Sequence, residues 1–419
     1  MNTFVLKNRD YLLLFVGGVV SNLGTQIYNF AMSLYIYVVT DGNAAIAGLY
    51  LATGGIVYVV LSPFGGAIVD RLDRVRVVYV TDYIRGIAVL MGGFALFANL
   101  SPTLLLVVLF AVTIVLGING ALFNPAASSL PPHILEQDQL QQASSLSQGM
   151  HALYGIVGAA LGGLMYGTIA IEYIFLINGF SFILSGFSEM FIRTKTLDED
   201  DNHVMTIRSV MVDIKEGVQY VLNLKPILWL VIIASMLNFF TIPMVANGMP
   251  YLFEVVLDVN PLYLSILMAT FPLGIILTSV VLASVKQQEK VSPLINRGLF
   301  GMAFAMVFSV VAIQLLLTDQ MSFLWYMIIS GVSLFVAGLF NGYINIPFNV
   351  AIMKVVDRNK LGRVSTIIGL ISNGLSPVAI ALGGVMIQAF GLLSLFYAAS
   401  IAMLVTAVLA YRNRYVQQL

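Results

Sequence analysis

The densest run of chemically capable side chains is Gly66-Ala67-Ile68-Val69-Asp70-Arg71-Leu72-Asp73-Arg74-Val75-Arg76. A carboxylate beside three guanidinium groups at the end of an apolar run can form charge-assisted pairs and meet a neighbouring helix terminus. Gly66 would let another backbone come close. Two roles suit the cluster: a latch built from Gly66, Asp70, Arg71, Arg74 and Arg76 that breaks during a conformational change, or a plain positive topology signal. The order glycine, Asp-Arg, Arg favours the latch.

Titratable groups inside apolar stretches are a second kind of chemistry, because an ionisable side chain in a membrane is costly and marks proton or substrate pathways. Asp82 and Glu189 fall in the cytoplasmic thirds of their runs, and Glu254 falls near the outer end of its own. Asp82 has Arg85 within pairing distance along a helix, and Glu189 has Arg193 four residues on. His151 is the one histidine inside an apolar run. It reads either as a coupling site or as a neutral imidazole bonded between helices. These four residues are the proton-coupling candidates.

Enzymatic chemistry is poorly served. His133, His151 and His203 are scattered, and there is no cysteine. No phosphate-binding glycine loop with its lysine and no nucleophile-elbow turn occurs. The expectation is a non-enzyme with no cofactor and no metal.

The elements that position these groups follow from composition. Hydrophobic residues make up 59% of the 419 residues and charged ones 10%. A soluble domain would be about a quarter charged. Mean hydropathy is +0.94. Net charge is zero, so nothing points to nucleic acid. A span needs about 20 apolar residues, and twelve such runs can be drawn, with one long polar stretch at 194–225. That stretch holds the acidic run Asp198 to Asp201, then Ile207, Val210, Met211, Ile214, Val218 and Val221 at helical spacing. The expected organisation is six helices in 1–193, a cytoplasmic linker with an amphipathic helix in 194–225, and six helices in 226–419.

All 20 lysines and arginines fall in the tails or even-numbered connections. The odd ones carry only acids: Asp41, Glu172, Glu254, Asp258 and Asp319. Basic loops stay in the cytoplasm, so both termini are expected inside. The halves also repeat at a near-constant offset. Asn119-Gly120 with Pro125 matches Asn341-Gly342 with Pro347, and Leu161-Gly162-Gly163 matches Leu382-Gly383-Gly384. Duplicated six-helix units are a transporter plan, with substrate bound near midplane.

Amides facing lipid are costly, so polar stripes should point inward, to a cavity or to another helix. Asn22, Gln26 and Asn29 lie on one face of the first run, with Phe30 beside them. Gln148 shares a face with His151, Asn238 with Thr241, and Asn341 with Asn345. These are the candidate substrate-cavity residues. Gly155, Gly158, Gly162 and Gly163 on the fifth run are expected to allow tight helix packing.

The run from Gly66 resembles the loop signature of the major facilitator superfamily, with Gly66, Asp70, Arg71 and Arg74 matching. Val75 replaces a usual base, and Asp73 stands where many members have glycine. Asp70-Arg71 with Asp73-Arg74, Phe123-Asn124-Pro125-Ala126, Leu130-Pro131 and Leu140-Gln141-Gln142-Ala143 resemble its macrolide-efflux branch, as does Leu361-Gly362-Arg363-Val364. The resemblance implies an all-α fold of 12 transmembrane helices in two pseudo-symmetric six-helix bundles, in a bacterial plasma membrane. It implies export of small amphiphilic drugs against protons across a lipid bilayer, and the duplicated halves make a monomer the expectation. Competing readings are a lipid or lysolipid transporter of the same fold and a membrane enzyme or transport-like sensor.

Overall fold

In a computed structural model the described residues are 5–98, 100–194, 207–284, 290–356 and 361–418. Among them there is no strand. The acidic run at 198–201 lies outside them. The chain forms two compact units: Met1–Gly42 with Tyr50–Met211, and Asn43–Leu49 with Val212–Leu419.

The first unit contains α1 (Arg9–Val39), α2 (Ala44–Val69, apart from its first turns), α3 (Arg74–Phe97), α4 (Pro102–Ser129), the short α5 (Pro131–Ile134), α6 (Leu140–Tyr166) and α7 (Ile171–Glu189). Three of its helices, α1, α3 and α4, start where side chains cap them. Asn8 accepts from the Tyr11 amide, Asp73 from Val75 and Ser101 from Leu104, each satisfying a donor left over in the first turn. The Asp73 cap accounts for an acid where the resembling motif often has glycine. Asp10 ties the start of α1 to the end of α7, accepting from the Arg193 and Thr194 amides at 3.1 Å and the Thr194 hydroxyl at 2.8 Å.

α8 (Ile207–Asn223) occupies the expected amphipathic stretch and belongs to the second unit from Val212 on, and that unit continues with α9 (Lys225–Pro243) and α10 (Met249–Tyr251). Wide π turns at Met244–Gly248 and Leu252–Val256 flank α10. Pro243 and Pro250 sit at these irregularities, since proline cannot donate to the helical ladder. There follow α11 (Pro261–Ser284), α12 (Ser292–Leu317), α13 (Phe323–Val355), α14 (Leu361–Gly374), α15 (Ser376–Phe390), α16 (Leu392–Arg412) and the short α17 (Arg414–Gln417).

The eleventh apolar run, expected as one helix, is thus broken at Leu375, just ahead of Pro377. The loosened carbonyls are satisfied from α9. Ser235 donates to the Ile371 carbonyl at 3.3 Å, and the Asn238 amide donates to the Ser372 carbonyl at 3.0 Å. Broken helices survive at membrane depth only where a neighbouring helix supplies such partners.

The acids of the odd connections have backbone work of their own. Asp41, Asp258 and Asp319 all adopt positive φ, 51°, 48° and 57°, a conformation that asparagine and aspartate tolerate better than most residues. Asp41 and Asp319 follow helix ends closed by bonds from the Gly42 amide to the Tyr37 carbonyl and from Gln320 to Leu315.

Eleven helices among the described residues are long and apolar enough to cross a membrane. The exception among the long helices of the expected spans is α6, which carries Gln141, Gln142, Gln148 and His151. This is an all-α polytopic membrane fold.

Candidate functional site

The polarity of α6 has a local reason. The first unit contains a cavity of about 750 Å³, bounded by Tyr11, Phe15, Gly18 and Asn22 of α1, Phe123 and Asn124 of α4, Ser144, His151 and Tyr154 of α6, and Glu189 of α7. Aromatic residues and polar groups both line it, the chemistry of a site for an amphiphile. The His151 and Tyr154 rings meet edge to face, 5.8 Å apart.

The walls are set by close helix contacts. Any side chain at Gly158 would overlap Gln26, and one at Gly162 would press on Phe30. The small residues of α6 therefore pack α1 tightly, as their spacing predicts. Gly155 faces open space, and Gly163 is buried. Gln26 and Phe30 are thus packing partners of α6 glycines, while Asn22 borders the cavity.

Behind one wall lies a buried charged cluster. Asp82 and Glu189 are wholly buried and Arg85 is nearly so. Arg85 Nη1 pairs with Asp82 Oδ1 at 3.2 Å, and its Nη2 donates to the Asn119 carbonyl at 3.4 Å. The guanidinium lies 4.0 Å from the centre of the Phe123 ring. Ser185 donates to Glu189 Oε1 at 3.1 Å and is also within hydrogen-bonding reach of Asp82. Glu189 Oε2 and Asp82 Oδ2 are buried without a hydrogen-bond partner. Spacing along the chain offered Arg193 as the partner of Glu189. Ser185, one turn back on α7, takes that place.

The cluster is possible because α1 and α7 approach at Gly17, where an added Cβ would sit 2.9 Å from Ser185 Oγ and 3.4 Å from Glu189 Oε1. Phe123, Ser185 and Asn119 were not among the expected site residues. Ser185 could have been found as the polar residue four before a buried acid.

The loop after α2 holds a looser group. Arg74 pairs with Asp70 at 3.4 Å, with Asp70 nearly half exposed. Its Nη1 lies 2.9 Å from His133 Nε2, and His133 Nδ1 lies 2.8 Å from the Ser129 carbonyl. Because that carbonyl can only accept, Nδ1 carries the proton and Nε2 accepts from Arg74. Arg71 and Arg76 are exposed. The expected close approach at Gly66 is not there: nothing lies within 4 Å of a Cβ built on it. It occurs one residue earlier, where a Cβ on Gly65 would overlap the Ala121 carbonyl of α4. A one-residue offset turns the free face of a helix by about 100°.

The remaining expected residues belong to the second unit or the surface. Gln148 bonds Ser144 at 3.3 Å and is exposed. Asn29 is exposed. Asn238 serves the break between α14 and α15, and Thr241 donates to its own helix at Leu237. Asn345 donates to Asn341 Oδ1 at 2.8 Å. Glu254 is half-buried in the second π turn. The four coupling candidates therefore do not converge: Asp82 and Glu189 share a cluster, His151 faces the adjoining cavity and Glu254 lies in the other unit. Among the described residues no group of acids and histidines could hold a metal ion.

Comparison with known proteins follows the same lines. The sequence model of the Major Facilitator Superfamily matches residues 14–380. The chain is 27% identical over 389 residues to YvqJ, an uncharacterized MFS-type transporter of Bacillus subtilis (strain 168), covering 91% of this chain and 87% of that one. It is 22% identical over 401 residues to macrolide efflux protein A of Streptococcus pyogenes, covering 93% and 91%. A shorter match, 35% over 143 residues, joins it to BacE, a putative bacilysin exporter of Bacillus subtilis (strain 168), over 33% of this chain and 34% of that one. Among solved structures, a bacterial homologue of the iron transporter ferroportin in its inward-facing state superposes with a TM-score of 0.74. It is 15% identical and covers 97% of this chain and 98% of that one. At that identity the likeness is one of fold.

Proposed function

The chain belongs to the major facilitator superfamily, and on that premise we propose that it exports amphiphilic, macrolide-like substrates by alternating access in exchange for protons. It is a multi-pass membrane transporter, not an enzyme. The observation that carries the export reading is the aromatic-walled cavity of the first unit with a carboxylate, Glu189, in its boundary. Relatives named for macrolide efflux and, over a shorter stretch, for bacilysin export support it.

The loop cluster of Asp70, Arg71 and Arg74 serves as the latch. It holds one transport state through pairs weak enough to break on each cycle, as exposed ion pairs are. Basic even-numbered connections support a plasma-membrane orientation with both termini inside. The rival reading, transport of lipid or lysolipid, would need no titratable group in the cavity wall; Glu189 in that wall favours exchange with protons.

The test is accumulation of a labelled macrolide in drug-sensitive bacterial cells expressing the chain. Expression should lower accumulation, a protonophore should restore it, and Asp70→Asn should behave as vector while remaining in the membrane. Unchanged accumulation with well-expressed protein sinks the export reading, and normal efflux by Asp70→Asn sinks the latch.

A further inference from the structure

We propose that the groove between α12 and α13 holds one acyl chain of an anionic phospholipid from the cytoplasmic leaflet, with Arg297 on its phosphate. The proposal goes beyond the export reading and does not depend on it.

The groove belongs to the second unit and has a volume of about 540 Å³. Gly301, Phe304 and Phe308 of α12 line it together with Ile328, Val332 and Phe340 of α13. Phe304, Phe308, Ile328 and Val332 are exposed, so the groove opens on the surface of the unit. A side chain at Gly301 would overlap the Phe340 ring, which therefore lies directly against the α12 backbone and closes one end of the groove. The lining contains a single polar residue, Ser333, and that residue is buried. A ligand with a polar end must be recognised outside the groove.

The face of α12 supplies the place. Its exposed residues Pro293, Arg297, Phe304 and Phe308 fall at helical spacing on one stripe. Arg297 is the one charged residue of that helix. It stands a turn before Gly301, toward the end that the basic connection marks as cytoplasmic. Phe308 lies about 16 Å farther along the axis at 1.5 Å per residue. One leaflet contributes about 15 Å of hydrocarbon, so a chain anchored at Arg297 runs the length of the groove.

Arg297 also lacks a protein counter-charge. It makes no ion pair among the described residues, and α12, α13, α16 and α17 contain no acid between them. Across the seam with α16 the neighbour is basic as well: the Tyr411 ring meets that of Phe300 at 6.1 Å, and exposed Arg412 follows it.

In a bilayer hydrocarbon fills an apolar groove whichever lipid brings it, since lipid tails are as apolar as leucine. Selection therefore falls to the guanidinium, which grips phosphate oxygens in pairs. A zwitterionic headgroup adds a cation of its own beside the two arginines, whereas an anionic one keeps its full charge for them.

The experiment uses the full chain in detergent and counts retained lipid by native mass spectrometry. The probes are phosphatidylglycerol and phosphatidylcholine with identical acyl chains. Wild type should retain one phosphatidylglycerol at least about fivefold better than phosphatidylcholine, the worth of one arginine at an anionic surface. Arg297→Gln should remove that preference, and Val332→Trp, which fills the groove, should lower retention of phosphatidylglycerol with Arg297 intact. Lys225→Gln, an equal loss of charge at an exposed position of the same unit, should retain lipid as wild type does.

Both site substitutions fall at exposed positions, so the variants should fold. Equal retention of the two lipids by wild type overturns the proposal, as does undiminished phosphatidylglycerol retention by Arg297→Gln. An equal loss in Lys225→Gln would reduce the effect to net charge and overturn it too. A dimer that Val332→Trp abolishes would assign the groove to a second copy of the chain instead. None of these results touches drug efflux, so the export reading stands or falls separately.

Discussion

Arg85 is the residue on which the interior of the first unit depends. It is the one cation among two buried carboxylates, and its partners are a side chain, a carbonyl and an aromatic face. Removing one member of a buried ion pair leaves a bare charge and costs about 3–5 kcal/mol, whereas replacing both members by neutral groups can be nearly neutral. Arg85→Met should therefore lower the melting temperature of the purified protein sharply, and adding Asp82→Asn should recover much of the loss. Equal melting of the single and double variants would refute this account. The exposed pair of Asp70 and Arg74 behaves oppositely. Its loss should change stability by less than about 1 kcal/mol, so a transport defect in Asp70→Asn would report the cycle and not the fold.

At the scale of elements, helix contacts are placed by single glycines. α2 meets α4 at Gly65, where a methyl group would overlap a backbone carbonyl that cannot rotate aside. Overpacking of this kind costs about 1–3 kcal/mol. Gly65→Ala should destabilise the protein by that amount, while Gly66→Ala, facing open space, should be close to neutral in thermal melting. Similar effects from both would show that the contact is misplaced by a residue. The break between α14 and α15 follows the same logic of local supply. Pro377 weakens the ladder at the break, and Ser235 and Asn238 on α9 bond the Ile371 and Ser372 carbonyls in the last turn of α14. That requirement explains a polar stripe which, read along the chain, suits a cavity equally well.

For the whole molecule the testable quantity is topology. The chain contains no cysteine, so single cysteines can be introduced and labelled without background. Asp41→Cys and Asp319→Cys should react with a membrane-impermeant maleimide in intact cells. Arg76→Cys and Gln418→Cys should react only after permeabilisation. The opposite pattern would overturn the inside placement of the basic connections.

Much of this protein was legible along the chain, because the signals are local. Spans are long apolar runs in a medium that tolerates no unsatisfied backbone, and the α6 glycines sit at the spacing that brings small residues to one helix face. Asp82 and Glu189 stood out as acids in apolar company. What could not be read is which residues meet across helices. Glu189 lies 107 positions from Asp82, and nothing in either neighbourhood says that they share Ser185. Nor does the chain distinguish Gly65 from Gly66, or the Asn22 that borders a cavity from the Asn238 that mends a broken helix. Those distinctions depend on the rotation of each helix about its axis, and that rotation is settled by side-chain packing between segments far apart in sequence. The sequence determined the spans and the chemical types within them; the tertiary structure alone decided which of those types were brought together.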